Sequence, residues 1–173
     1  MAIDVSNDNA IAPANIRFIS LTFLVAFVLN LLPWRDIRGV PDLLALAIAF
    51  WGVHQPRRIG FAIPFALGLL MDAANGALMG QHALAYSVLA FLTGALNRRI
   101  LWFPLSTQAL HMLVVFLLVQ GLMLAVRLMA GGEFPGFTYF VASFIAAGLW
   151  PLATIVLVMH QRRSGGGDDG AVL

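Results

Sequence analysis

The sequence predicts an all-α integral membrane protein built as a bundle of six transmembrane helices. Two observations lead to this fold class. Hydrophobic residues make up 61% of the 173 residues and charged residues only 10%, whereas soluble domains are about 45 to 50% apolar and about 25% charged. The apolar residues are also gathered into six blocks with short polar or arginine-bearing segments between them. Nearly all of the chain is therefore expected in the bilayer, with no room for a separate soluble domain.

The six blocks are close to the length of about 17 to 25 residues that a spanning helix needs. They cover residues 18–34, 42–56, 59–80, 82–97, 101–126 and 137–159. The third and fourth blocks are joined almost directly, which predicts a tight antiparallel helix pair. The first block is predicted to be a retained helix, since no basic segment precedes it and no cleavage site follows it.

The second block is the shortest. Pro41 and Asp42 form a typical helix start, because proline suits the first turn and an acidic group favours a helix N-terminus. Only 14 residues separate Asp42 from Arg57. Three alternatives are therefore open: a helix with little tilt, a helix that brings Asp42 into the headgroup zone, or a partly buried core helix.

The segments outside the blocks predict the domain organisation. Residues 1–16 and 164–173 are rich in small and polar residues and are expected to be disordered cytoplasmic tails. They flank a transmembrane domain over residues 17–163.

Arginine placement predicts the orientation of the bundle. All ten basic residues are arginine. With the N-terminus inside, seven of them fall on inner segments and three on outer loops, and such an excess marks the cytoplasmic side. Both termini are then cytoplasmic. Three pairs are predicted to fix topology and contact anionic lipid, with a partner-binding role as the alternative: Arg57 and Arg58, Arg98 and Arg99, and Arg162 and Arg163. The arginines form no continuous basic face, so nucleic acid binding has no support.

Asp72 is the carboxylate inside the third block. A charged aspartate at the centre of a transmembrane helix costs about 2.5 to 3.5 kcal/mol on insertion scales, so a partner or a water-filled pocket is expected. Gly68, Gly76 and Gly80 follow a four-residue spacing with Asp72, and one continuous helix would place all four on one face. Such glycines let a second backbone approach closely.

Two interpretations of Asp72 stay open, and the first is favoured. In the first, the side chain is protonated or bonded to a neighbour and holds the third and fourth helices together. The candidate neighbours are Gln81, His82 and Tyr86. Asp72→Asn should then be tolerated, whereas Gly76→Leu should be severe. In the second, Asp72 is a proton or ligand site.

No catalytic residue, cofactor site or metal site is predicted. The sequence has no HExxH motif, no GxSxG motif, no lysine and no cysteine, which excludes thiolate metal sites and cysteine nucleophiles. The four histidines lie singly on different segments. The four tryptophans are predicted as interface anchors: Trp34, Trp51, Trp102 and Trp150. Pro151 is expected to kink the sixth helix.

Four stretches, in a fixed order, carry a resemblance to a known family. They read "PDLLALAIAFWGVHQPRRIG", "GLLMDAANGALMGQHALAY", "RRILWFPLSTQAL" and "WPLATIVLVMHQRR". Residues 18–163 resemble the rod shape-determining MreD family of Gram-negative bacteria. The second stretch matches the family pattern DxxxGxxxGQHALxY, through Asp72, Gly76, Gly80, Gln81, His82 and Tyr86. Pro41 with Asp42, and Trp150 with Pro151, match its flanking motifs. These ten residues are candidates for helix packing or for a partner interface.

The resemblance implies a non-enzymatic, multi-pass subunit of the cell-elongation (rod) complex in the bacterial inner membrane. The implied partners are the periplasmic scaffold MreC, the actin-like MreB, and the polymerase RodA with its transpeptidase, which insert peptidoglycan along the side wall. The resemblance also implies a fold similar to the S component of energy-coupling-factor transporters. A homodimer stays open.

A small-molecule-binding subunit of a membrane transporter is the alternative function. Such a protein needs a pocket with several convergent polar groups. The apolar blocks offer few, chiefly Asp72, Asn75, Tyr86 and Gln120, so this alternative is rated lower.

Overall fold

The computed structural model describes residues 15–32 and 39–165, with side chains through Gln161, and every regular element in this part is helical. The α-helices are α1 (Ile16–Leu31), α2 (Leu43–His54), α3 (Pro56–Ile59), α4 (Ala62–Asn75), α5 (Gln81–Leu101), α6 (Leu105–Met129) and α7 (Val141–Gly165). A 3₁₀ helix, Phe137–Phe140, precedes α7. The tails predicted over residues 1–16 and 164–173 lie almost wholly outside the described residues, although α7 extends to Gly165 and so passes the predicted boundary.

Helix α2 forms the centre of the molecule. Its residues from Leu44 to Val53 are all buried, and it packs against α1, α5 and α7. A helix that is apolar on every face is typical of a buried core element. At about 1.5 Å per residue its 12 residues extend for about 18 Å, less than the thickness of the hydrocarbon core. The burial agrees with the third alternative for this block, a core helix, while the depth of Asp42 relative to the headgroups stays a prediction.

Helices α4 and α5 form the expected antiparallel pair and pack along each other. The predicted continuous helix over residues 59–80 is nevertheless wrong. Gly60, at φ 55°, separates α3 from α4, and α4 ends at Asn75 because Gly76 adopts the left-handed conformation at φ 59°. Gly80, at φ 101°, precedes α5. The predicted single face of glycines does not exist, since Gly76 and Gly80 lie in the turn.

Two other glycines mediate the close helix contacts. A Cβ atom placed on Gly68 of α4 would lie 2.4 Å from the Cα atom of Ala83 on α5. A Cβ atom on Gly52 of α2 would lie 2.1 Å from the Thr93 hydroxyl oxygen on α5. Helix α5 therefore approaches the backbones of both α2 and α4, and any side chain at Gly52 or Gly68 would force the helices apart.

Two spans among the described residues are long and apolar enough to cross a membrane, Leu105–Met129 and Phe137–Gln161. Helices α1, α2 and α4 are shorter. Helix α7 continues through Pro151, so the proline does not end it, and the expected kink stays a prediction.

The tryptophans differ from the expectation of interface anchors. Trp51 and Trp150 have no exposed surface, whereas Trp102 is 91% exposed. Trp34 lies outside the described residues. The anchor prediction is wrong for Trp150 because its indole N–H donates to Gln108 Oε1 at 3.2 Å, which satisfies the polar end of the ring inside the bundle. The Trp51 ring packs edge-on against Phe18 and Phe50 instead of facing an interface.

The described arginine pairs are exposed at helix ends. Arg57 and Arg58 belong to α3, and Arg98 and Arg99 lie in the last turn of α5. The gap between the apolar blocks 82–97 and 101–126 predicts a connecting loop for the second pair, but the helix continues to Leu101. Arg162 and Arg163 lie within α7, and their side chains fall outside the described part.

Candidate functional site

The candidate site begins with Asp72, which is fully buried near the end of α4. Its carboxylate accepts hydrogen bonds from the backbone N–H groups of Gly80 and His82, both at 2.8 Å, and a longer one from Ala83 at 3.4 Å. The His82 ring nitrogen Nδ1 lies 2.7 Å from the same carboxylate. Asp72 therefore contacts the first turn of α5 through four groups.

These contacts explain why an apolar segment keeps a carboxylate. The first N–H groups of a helix have no partner within the helix, and Gly80 at the N-cap position of α5 has no side chain to supply one. Asp72 supplies the acceptor from the preceding helix, and its negative charge is favourable at the positive end of the helix dipole. Asp72 thus caps α5 from across the turn.

Of the three candidate neighbours, His82 is the residue that contacts Asp72. An ionised carboxylate only accepts hydrogen bonds, so Nδ1 of His82 carries the proton. The Tyr86 hydroxyl donates instead to Asp42, at 2.6 Å from Oδ2. Gln81 begins α5. Asp72 has no exposed surface, and its role as a proton or ligand site stays a prediction.

A second polar cluster surrounds Asp42 at the start of α2. Asp42 Oδ1 accepts from the backbone N–H of Ala45 at 2.9 Å and from the Asn30 amide at 2.6 Å. Asn30 in turn accepts from the backbone N–H of Leu43 at 3.0 Å. With the Tyr86 hydroxyl, which is fully buried, these contacts connect α1, α2 and α5. The predicted helix start at Asp42 is present, and Pro41 directly precedes this cap.

Asn30 is a site residue that the sequence analysis did not identify. It lies in the last turn of α1, where it is the one strongly polar side chain between Thr22 and the end of the helix. A lone amide at the end of an apolar block was the available signal, because such a group needs a partner when it is partly buried.

Two further contacts connect α6 with α7 and its preceding 3₁₀ helix. Gln108 receives the Trp150 N–H and donates to the Phe103 carbonyl at 2.9 Å. Gln120 donates to the Tyr139 carbonyl at 2.8 Å, and its side-chain oxygen accepts from the Ser143 hydroxyl. Gln108 and Ser143 were also not identified from the sequence.

A cavity of about 1100 Å³ lies between α1, α2, α4, α5, α6 and α7. Small-molecule sites commonly measure about 300 to 1,000 Å³. Its polar walls include Asn30, Asp42, Asn75, His82, Tyr86, Gln120 and Ser143. Of the four polar residues that the sequence analysis named for a pocket, Asn75, Tyr86 and Gln120 line this cavity. The fourth, Asp72, does not. The cavity has more convergent polar groups than the sequence analysis expected.

No group of three or more His, Cys, Asp or Glu side chains that could hold a metal ion occurs within residues 15–32 and 39–165. The arrangement holds helices together and lines a cavity.

Comparisons with known proteins identify the family of this chain. The sequence profile of the family described as rod shape-determining protein MreD matches residues 14–160. The chain is 26% identical over 147 residues to the rod shape-determining protein MreD of Haemophilus influenzae, an alignment that covers 82% of this chain and 88% of the relative. No solved structure matches. The chain therefore belongs to the MreD family of rod shape-determining membrane proteins.

Proposed function

We propose that the protein is a non-enzymatic subunit of the bacterial cell-elongation complex in the inner membrane. In this role it holds MreC, and through it the peptidoglycan synthases RodA and its transpeptidase, at the side wall along which MreB acts. The observation that carries the proposal is the family match over residues 14–160. Two further observations support it: Asp72 and Asp42 hold helices together, and exposed apolar side chains occur on α1, α5, α6 and α7.

The proposed topology has six passes, with both termini in the cytoplasm and the transmembrane domain over residues 17–163. It is supported by the position of the exposed arginines. Helix α3, which carries Arg57 and Arg58, packs against α5, and a Cβ atom on Gly94 would lie 3.5 Å from Pro56. Arg98 and Arg99 end the same helix. Both pairs are thus at one end of the bundle, as a cytoplasmic face requires.

Reporter fusions test this topology. A fusion after Arg163 should report the cytoplasm, and a fusion within residues 35–41 should report the outer side. An external C-terminus would contradict the six-pass arrangement. The proposed likeness to the S component of energy-coupling-factor transporters rests on the same six passes and would fail with them.

The partner-binding role can be tested by cysteine crosslinking, since the chain has no cysteine. Single cysteines would replace exposed residues on four helices: Val25, Phe91, Leu110 and Ile155. A cysteine at the fully buried Ile48 is the matched control. At least one exposed position should crosslink to MreC in native membranes, and the control should not. Failure of MreC to crosslink or co-purify with any of these functional variants would overturn the proposed partner.

A transporter subunit that binds a small molecule is the second candidate, and the cavity of about 1100 Å³ is the observation that favours it. Purification from membranes separates the two functions. A scaffold should bring MreC with it, whereas a transporter subunit should bring an energising module.

A further inference from the structure

We infer that the cavity between α1, α2, α4, α5, α6 and α7 binds a small organic cation with N–H donors, of the protonated primary amine class, and that Asp42 is its anionic partner. This inference does not depend on the proposed function, because it concerns the lining of the cavity and not the partners of the complex.

The charge of the lining favours a cation. Asp42 is the acidic residue of the cavity wall, and no arginine belongs to the lining within the described part of the chain. A carboxylate in a partly enclosed site is shielded from bulk water, so a cation there gains more than it would at an open surface. An anionic ligand would meet a like charge at Asp42.

The hydrogen-bonding groups of the lining favour a ligand that donates hydrogen bonds. The donor hydrogens of three lining residues are already used inside the protein: Tyr86 donates to Asp42, Ser143 donates to Gln120, and His82 donates through Nδ1 to Asp72. The Ser143 oxygen and the second His82 nitrogen are left as acceptors when the ring is neutral. An ionised carboxylate offers about four lone-pair sites, and Asp42 receives three hydrogen bonds. Asp42 therefore keeps about one lone-pair site for a hydrogen bond from a ligand, beside the acceptor atoms of Ser143 and His82.

The carboxylate is also held in place before any ligand arrives. The three groups that donate to Asp42 come from α1, α2 and α5, so its position does not depend on one flexible side chain. Tyr86 has no exposed surface and acts as a positioning residue. Apolar walls from α6, including Phe116, Val119 and Met123, can cover the hydrocarbon part of the ligand.

Binding can be measured on the full chain in phosphatidylcholine nanodiscs, with ethanolamine hydrochloride as the probe and sodium chloride at equal ionic strength as the reference. Ethanolamine should raise the thermal unfolding midpoint saturably and give a calorimetric binding isotherm. Asp42→Asn should weaken binding by about tenfold or more, because it removes the charge that pairs with the ammonium. Glu133→Gln is the matched control, since it removes an exposed carboxylate outside the cavity, and it should bind as the wild type does.

A second variant keeps the test decisive if Asp42→Asn fails to fold. Ala142 lines the cavity on α7, so Ala142→Phe should fill part of the space and reduce binding while Asp42 stays in place. Choline, which has no N–H donor, should bind about tenfold more weakly than ethanolamine. The inference is overturned if ethanolamine gives no saturable shift with folded wild-type protein, if choline binds equally well, or if both cavity variants bind like the wild type.

The lipid composition of the nanodisc distinguishes the two sources of the amine, a lipid headgroup and a soluble molecule. In nanodiscs that contain phosphatidylethanolamine, loss of the ethanolamine response would identify the lipid headgroup as the occupant. An unchanged response would identify a soluble amine. Both results support an amine site, and they differ in the compartment that supplies the ligand.

Discussion

Gly68 on α4 lies directly against the backbone of Ala83 on α5, so that a Cβ atom at Gly68 would stand 2.4 Å from the Ala83 Cα atom and 2.5 Å from its nitrogen. Backbone atoms cannot move aside as the end of a flexible side chain can. The contact also sets the distance between Asp72, one turn further along α4, and the first turn of α5 that it caps. Packing at Gly68 and capping by Asp72 are therefore parts of one interface.

Gly68→Ala should destabilise the protein by about 1 to 3 kcal/mol, since an added methyl group in a close contact forces the backbones apart. Unfolding in mixed detergent micelles measures this change. Gly148→Ala is the control, because a Cβ atom on Gly148 of α7 would meet nothing within 4 Å. Equal stability of the two variants would show that α4 and α5 separate at no cost.

Asp72→Asn should be destabilising, contrary to the expectation drawn from the sequence. Oδ1 accepts from His82 and Oδ2 accepts from Gly80 and Ala83, so an amide group in either orientation would place a donor opposite a backbone donor. An unsatisfied buried group costs about 1 to 3 kcal/mol. Membrane abundance and the detergent unfolding midpoint should both fall. Normal abundance and an unchanged midpoint, together with loss of rod shape in cells depleted of the native protein, would instead indicate a titrating role.

Gly76→Leu should be harmful through backbone conformation and not through helix separation. A Cβ atom at Gly76 would meet nothing within 4 Å, but its φ is 59°. The left-handed conformation costs an ordinary residue about 1 to 2 kcal/mol, and asparagine tolerates it better. Gly76→Asn should therefore be measurably more stable than Gly76→Leu in thermal unfolding. If the two variants were equally unstable, a steric contact at this turn would be indicated.

Tyr86→Phe should lower stability by about 1 to 3 kcal/mol, because it leaves Asp42 without the partner of its Oδ2 atom in a buried setting. Ser87→Ala is a suitable comparison, since the Ser87 hydroxyl bonds the Ala83 carbonyl of its own helix and crosses no interface. The loss should be clearly larger for Tyr86→Phe. A reversed order would mean that the Asp42 cluster does not hold α2 to α5.

Replacing both Arg98 and Arg99 by lysine should leave rod shape unchanged, because lysine keeps the positive charge that sets topology. Both residues are exposed at the end of α5. Cell shape and reporter topology are the measurements. Rounded cells with correct topology would instead reveal bidentate recognition of a carboxylate or phosphate, which lysine cannot reproduce.

Composition and order along the chain were enough to determine the class of protein. The apolar fraction predicted a helical membrane protein, the uniform apolarity of residues 43–54 allowed a core helix, and the motif around Asp72 indicated the family. The antiparallel pair of α4 and α5 followed from the short connection between two apolar blocks. These features depend on local composition and on neighbours along the chain, which a sequence displays directly.

Only the tertiary structure decided which groups meet. The spacing of Gly68, Asp72, Gly76 and Gly80 suited a helical face, but the left-handed conformation of Gly76 ends the helix, and a four-residue spacing alone does not distinguish these outcomes. Tyr86 was a plausible neighbour of Asp72 along the chain, yet it contacts Asp42, 44 residues away. The cavity likewise draws its walls from six α-helices. Contacts between residues distant in sequence depend on how helices pack side by side, and no local pattern records that arrangement.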